Sequence, residues 1–253
     1  MALRCLCAEA AGLRFSTRYC VKPSMTTSAR LNTLAKATLW DRAYLALKSA
    51  LLEGRYAPGD RIVLRDVAEE LGISLTPVRD AVNRLSAEKI LHRGSVGNGG
   101  GATVPLLTTD QFRQLMTVRS SLEPVAAAAA ARLATASQLD AVESCLIAMK
   151  RSVHEHRQEQ YLAEHYRFHF EIYAICEMPL VQEIIEGVWL RCGPTLTLAL
   201  PEYIPGLKRY EFHVAALDAL RRQDAEQAAA AIRDDIESAQ ADICMLLDKA
   251  NRQ

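Results

Sequence analysis

The stretch from Leu71 to Leu85 constrains this chain more than any other. Arg65 to Leu71 precedes its turn, with Val67, Ala68 and Leu71 on one apolar helical face. Gly72 stands where a helix stops and the backbone turns left-handed. Ser74 suits the N-cap of a second helix, and Pro77 falls in that helix's first turn, where a missing N–H costs little. Two short helices joined this tightly, the second opening Ser74-x-Thr76 and running on through Arg79, fit a helix-turn-helix that lays its second helix in the DNA major groove. The same residues also fit an ordinary helical hairpin in a globular core, so the flanking sequence decides.

Upstream, Trp40 to Glu53 is a periodic amphipathic helix with Ala43, Leu45, Ala46, Leu47, Ala50, Leu51 and Leu52 apolar. Gly54 and the turn Tyr56-Ala57-Pro58-Gly59-Asp60 close it. Downstream, Lys89 to Arg93 and Ala102 to Pro105 bracket a tip containing Gly94, Gly97, Gly99, Gly100 and Gly101, which reads as a two-stranded ribbon with a flexible basic end. Helix, helix-turn-helix and ribbon in that order make a winged helix, here over residues 38–105.

The motif Leu52-x-Gly54-x-x-x-Pro58-Gly59-Asp60, followed by Leu71-Gly72-Ile73-Ser74-x-Thr76-Pro77-Val78-Arg79-Asp80-Ala81, resembles the DNA-binding domain of the GntR family of bacterial transcriptional regulators. The resemblance covers Trp40 to Pro105. It implies a double-stranded DNA operator as partner, with contacts at Arg65, Ser74, Thr76 and Arg79 and a wing tip near Gly97 to Gly101. Leu75 is a departure, because the family usually carries a basic residue there. Losing an arginine that reads a guanine edge changes operator specificity but spares the phosphate contacts that supply most of the affinity.

The chain has 253 residues, half of them hydrophobic, enough for one large or two modest domains. Its zero net charge argues against nucleic acid until the halves are separated. Met1 to Pro105 holds 15 Lys/Arg against 9 Asp/Glu, and the remainder 15 against 21. A basic N-terminal part on an acidic body suits a DNA-binding head carried by a sensing or dimerising domain. The seven cysteines are scattered without a Cys-x-x-Cys pair, which reads as reduced thiols in a cytoplasmic protein with neither disulfide frame nor zinc knuckle. No apolar run approaches the roughly 18 residues of a membrane helix. Residues 1–37 carry six Lys/Arg against Glu9 alone and are rich in Ser, Thr and Ala. That composition fits an organelle transit peptide, a DNA-gripping arm, or a start displaced from Met25; the bacterial character of the downstream domains favours a disordered leader.

After Pro105 a short linker leads to a helix capped by a Thr or Asp before Phe112, which runs through Met116, Arg119 and Glu123 into an alanine block ending near Leu133. Helical spacing then recurs over Ser137 to His156, Glu159 to Cys176, Leu180 to Leu200 (with Pro194 near its middle), Lys208 to Arg222 and Ala225 to Ala250. Residues 106–253 therefore form an all-α bundle of six or seven helices, and the whole chain is mainly α. Such bundles hold ligands between their helices.

His165 and His169 are four residues apart, on one helix face. His213 lies on the next-but-one helix and Asp235 on the last. Three imidazoles and a carboxylate suit a divalent transition metal such as Zn²⁺ or Ni²⁺ with positions left for water or a ligand oxygen. A His-x-x-x-His pair alone fits plain surface or core histidines equally well. Val118-Arg119-x-x-x-Glu123, Phe168-His169, and Glu211-x-His213 with Asp218-Ala219-Leu220 and Asp224 resemble the FCD effector domain of FadR-type GntR regulators over Thr109 to Leu247. In many members an Asp, a His four residues on, a third His and a last His hold the metal. Those positions are His165, His169, His213 and Asp235 here, so the Asp and the last His have traded places and the donor set survives.

The resemblance implies a homodimer whose operator affinity answers to a small carboxylate effector at the metal, with Arg119 pairing the anion. A structural salt bridge of Arg119 with Glu123 is the alternative for that residue. A metal with an open position also fits a hydrolase on the helical bundle. Against it, Tyr166 follows His165 where a His-Glu-x-x-His base would stand, and Glu164 and Glu171 are only near in sequence. The expectation is a regulator and not an enzyme.

Overall fold

The computed structural model describes residues 38–94, 101–199 and 208–250. The expected leader, residues 1–37, and the wing tip from Gly97 to Gly100 lie outside the described residues.

Helix α1 (Leu39–Leu52) starts where Thr38 and Asp41 cap each other, the Asp41 N–H donating to Thr38 Oγ1 and the Thr38 N–H to Asp41 Oδ2. It buries Ala43, Tyr44, Leu47, Leu51 and Leu52, whereas Leu45, expected on the apolar face, is 56% exposed. Strand β1 (Arg61–Val63) comes next, then α2 (Leu64–Leu71) and α3 (Leu75–Ala87). Strands β2 (His92–Arg93) and β3 (Gly101–Thr103) complete a three-stranded antiparallel sheet in the order β1-β3-β2, with Ile62 opposite Ala102. Gly101 thus belongs to a strand instead of the tip. Strand β1 was not anticipated; three residues are too few for alternation to register. Ile90 and Leu91, expected in the ribbon, are buried in the core ahead of β2.

Between α2 and α3 the turn forms as its residues dictate. Gly72 has φ 64° and ψ 35°, and its N–H bonds back to Glu69 O at 3.1 Å. Ser74 is the extended N-cap of α3, but its hydroxyl makes no capping bond and stays exposed. Val78, Ala81, Val82 and Leu85 bury the opposite face of α3, and α1 packs across it.

The body holds α4 (Thr109–Leu133), α5 (Ala136–His154), α6 (Gln158–Ile175), α7 (Pro179–Leu196), α8 (Tyr210–Arg221) and α9 (Ala225–Ala250). Thr108 and Gln111 form the capping box of α4, and Thr135 and Gln138 that of α5. Helix α4 lies along α9 and also meets α6, α7 and α8, so it is the axis of the bundle. Pro194 falls in the last turn of α7, which runs into a 3-10 turn over Thr197–Ala199. No helix of the described residues is long and apolar enough to cross a membrane. Cys145, Cys176, Cys192 and Cys244 are free and buried, so none is placed for a structural disulfide.

Replacing Gly72 by Ala is expected to destabilise the protein by about 1 kcal/mol, through backbone strain in the left-handed region alone. The added methyl would meet nothing within 4 Å. Urea unfolding checks this, and Gly72→Asn should lose less than Gly72→Ala.

Candidate metal centre and nucleic-acid interface

Three helices bring the four expected donors together. His165 and His169 project from α6, His213 from α8 and Asp235 from α9, and one donor atom from each lies within 4.8 Å of the others. His169, His213 and Asp235 are 0%, 1% and 3% exposed. The Nε2 atoms of His165 and His169 stand 3.2 Å apart, His169 Nε2 is 3.5 Å from Asp235 Oδ2, and His213 Nε2 is 3.7 Å from Asp235 Oδ1. Donors about 2.0–2.1 Å from a tetrahedral ion sit about 3.3 Å from one another, so these three separations are near those of a metal shell, and the set as a whole, within 4.8 Å, would contract a little onto an ion.

The remaining ring nitrogens fix which atoms face inward. His213 Nδ1 donates to the Arg209 carbonyl at 2.9 Å, and His169 Nδ1 meets the Tyr173 hydroxyl at 3.0 Å. Both rings are then held with Nε2 toward the centre, the tautomer-fixing arrangement of metal-ligating histidines. His213 Nε2, Asp235 Oδ1 and His165 Nδ1 are buried without any hydrogen-bond partner. Leaving buried polar atoms unsatisfied costs about 1–3 kcal/mol each, so the cluster is unfavourable unless it serves a purpose.

Charge obeys the same logic. Burial disfavours the imidazolium form, pushing His165 well down and His213 down to about 4. For Asp235 burial acts upward, but the charge of His213, then the hydrogen bond and charge of His169, outweigh it and hold the carboxyl well below its usual range. Neutral imidazoles beside an ionised carboxylate are the protonation states that a divalent transition ion needs. The residues fit such an ion.

Behind the cluster lies a second network that sequence reasoning saw only in part. Glu123 is fully buried and accepts from Arg119 Nε at 2.6 Å, Arg119 Nη2 at 3.1 Å, the Tyr173 hydroxyl at 2.6 Å and Trp189 Nε1 at 2.8 Å. The Arg119 guanidinium also lies 4.0 Å over the Trp189 ring, whose centroid is 5.3 Å from that of His169. Arg119, expected to pair an effector anion, is therefore engaged in the structural salt bridge with Glu123. It still lines the cavity beside the cluster, together with Tyr161, Leu162, His165, Arg209 and Asp235. Tyr173 and Trp189 gave no sequence signal, since an isolated aromatic on an apolar helical face looks like any core residue. Glu164, near the histidines in sequence, pairs with Arg167 at 3.1 Å, and no carboxylate beyond Asp235 joins the donor group among the described residues.

In the head, Arg65 is exposed in the first turn of α2, and Ser74, Thr76 and Arg79 are exposed at the start of α3. Leu75 stands among them, partly exposed. From the ribbon side, Arg93 Nη2 reaches Asn83 Oδ1 at 2.6 Å and ties β2 to α3.

Comparison with known proteins agrees with both halves. Residues 39–104 match the model described as bacterial regulatory proteins, gntR family, and residues 114–238 match that of the FCD domain. The chain is 30% identical over 211 residues to the HTH-type transcriptional regulator McbR of Escherichia coli (strain K12), covering 81% of this chain and 91% of that protein. The solved structure of E. coli McbR/YncC aligns with TM-score 0.76 and 27% identity, covering 85% of this chain and all of that one. A putative GntR regulator from Rhodococcus sp. RHA1 shares the fold, with TM-score 0.65, 18% identity and 81% and 96% of the two chains covered. These families and relatives are transcription regulators and not enzymes.

Removing the Glu123 carboxylate would strand Arg119 as a buried unpaired charge, so Glu123→Ala should cost about 3–5 kcal/mol. Denaturant titration measures it, and a loss under about 1 kcal/mol would contradict the central place of this network. The chain belongs to the GntR family of bacterial transcriptional regulators, with a winged helix-turn-helix head and an FCD body.

Proposed function

We propose that this regulator adjusts its affinity for a DNA operator according to a small organic acid bound at a divalent metal in the FCD body. One observation carries the reading: His165, His169, His213 and Asp235 converge in the core with His213 Nε2 and Asp235 Oδ1 left without partners. A bound Zn²⁺ or Ni²⁺ would offer a Lewis-acidic position to a carboxylate or hydroxyl oxygen. This chain's own residues do the rest. Tyr173 and the Arg209 carbonyl orient the imidazoles, and Glu123 neutralises Arg119 in the cavity wall. Arg119 borders the cavity that an acid would enter, with part of its charge already compensated.

The head reads DNA through the start of α3. Arg79 and Thr76 reach base edges or phosphates, Ser74 and Arg65 hold the backbone, and Leu75 offers an apolar contact where a guanine-reading cation would otherwise stand. A homodimer places two heads on inverted half-sites, because a two-fold axis in the protein demands one in the operator. Coupling of about 1–3 kcal/mol between the sites would alter operator affinity about 5–150-fold.

In a gel shift on DNA flanking the protein's own gene, wild type should give a sequence-selective, salt-sensitive complex whose affinity changes on chelation. Arg79→Ala should abolish the complex while the helical circular dichroism signal stays. Undiminished binding by Arg79→Ala would remove the contact assignment, and indifference to chelation would remove the metal from the regulatory reading.

A further inference from the structure

A side chain in the wall of the cavity beside the donor cluster also touches the DNA-binding head. Leu162, three residues before His165 on α6, lines it, as do Leu196 and Ala199, which flank Thr197. On their far side sits Gly54, just beyond the C-terminus of α1. A Cβ built on Gly54 would lie 2.6 Å from Leu162 Cδ1 and 3.4 Å from Thr197 Cγ2, and Gly54 has φ +72°. A Cβ there would press on the end of the Leu162 side chain, which would have to shift, and the left-handed φ itself favours glycine. Gly54 is bound into the end of α1, its N–H donating to Leu51 O at 3.3 Å and the Arg55 N–H to Ala50 O at 2.9 Å.

From α1 the contact continues into α3. Tyr44 donates to Glu88 at 2.8 Å, and the Arg84 guanidinium lies 4.0 Å over the Tyr44 ring. A second set of links, Lys48 to Glu186 at 2.7 Å and Arg191 to the Glu88 carbonyl at 3.0 Å, ties the same two head helices to α7. Those links are polar and partly exposed, and they tolerate small shifts. The Leu162–Gly54 contact is an apolar one made by a buried side chain, and close-packed interiors transmit displacement.

The cavity itself has a volume of only about 20 Å³, room for a single water-sized group. Closing the four donors around an ion, or admitting an acid beside it, must therefore move a wall. Arg119 is fixed by Glu123, and Arg209 by Asp242 at 2.7 Å. Leu162 is a wall residue held by packing and shared with the head.

We propose that Leu162 and Gly54 form the contact through which occupation of the metal cavity moves α1 and, with it, the DNA-reading helix α3. This rests on the metal-dependent reading of function above. The test uses the full-length protein, with Zn²⁺ as the probe against a chelated control, and has two readouts: operator affinity, and hydrogen exchange of the segment Leu51 to Tyr56. Wild type should respond to Zn²⁺ in both, with an affinity change of about 5–150-fold. Leu162→Ala should still bind one Zn²⁺ and still bind DNA, but its affinity and exchange should no longer depend on the metal. Leu162→Val, a milder shortening, serves if the alanine variant folds poorly. Ile243→Ala opens the same cavity from α9 and should keep the response. Equal responses in wild type and both Leu162 variants would overturn this inference and leave the regulatory reading standing. Loss of response in Ile243→Ala as well would overturn it too, since any enlargement of the cavity would then do the same. No response to Zn²⁺ in wild type would overturn both.

Discussion

One buried carboxylate organises the body. Glu123 draws hydrogen bonds from Arg119 on its own helix, Tyr173 on α6 and Trp189 on α7, so three helices share one acceptor. A carboxylate so deep would be prohibitive unpaired; with four donors it becomes a rigid joint. Tyr173 then carries that rigidity to His169, and Trp189 packs against His165 and His169. The donor cluster keeps its shape because the network behind it cannot relax.

The cluster itself carries uncompensated costs. Burial strips two imidazoles of their protons, the carboxylate beside them stays ionised, and three polar atoms have no partner. A protein interior seldom keeps such atoms unsatisfied without a use, and a divalent ion would take up His213 Nε2 and Asp235 Oδ1 together. On the proposed reading, the exchange of Asp and His between α6 and α9 that the family resemblance implies would leave the same donor types at the centre.

How far the sequence could be read depends on where its signals reside. Gly72, Ser74 and Pro77 act within a few residues of themselves, so two helices and a tight turn are legible locally; that they make a helix-turn-helix and not a plain hairpin takes the flanking helix and ribbon. Capping residues and helical periodicity placed all six body helices, with ends differing by a few residues. The four donors could be picked by residue type and by resemblance, and the fold brings them together. Contacts between distant segments could not be read. Tyr173 and Trp189 lie 50 and 66 residues from Glu123, and nothing local marks them as its partners. The apolar set read for α1 contains Leu45 and not Tyr44; packing against α3 buries Tyr44 and leaves Leu45 in solvent. Strand β1 exists because β3 is there to pair with it. Gly54 read as a helix stop, and its second role, close approach to Leu162, appears only in three dimensions.

Metal-dependent regulation stands or falls on the cluster being a metal centre. X-ray absorption of the zinc-titrated protein tests this directly, alongside metal analysis after dialysis. One Zn²⁺ per chain is expected, in a shell of nitrogen and oxygen at about 2.0–2.1 Å with no sulfur. Retention of far less than one ion, or a sulfur-containing shell, would contradict it and return the four residues to a merely structural role.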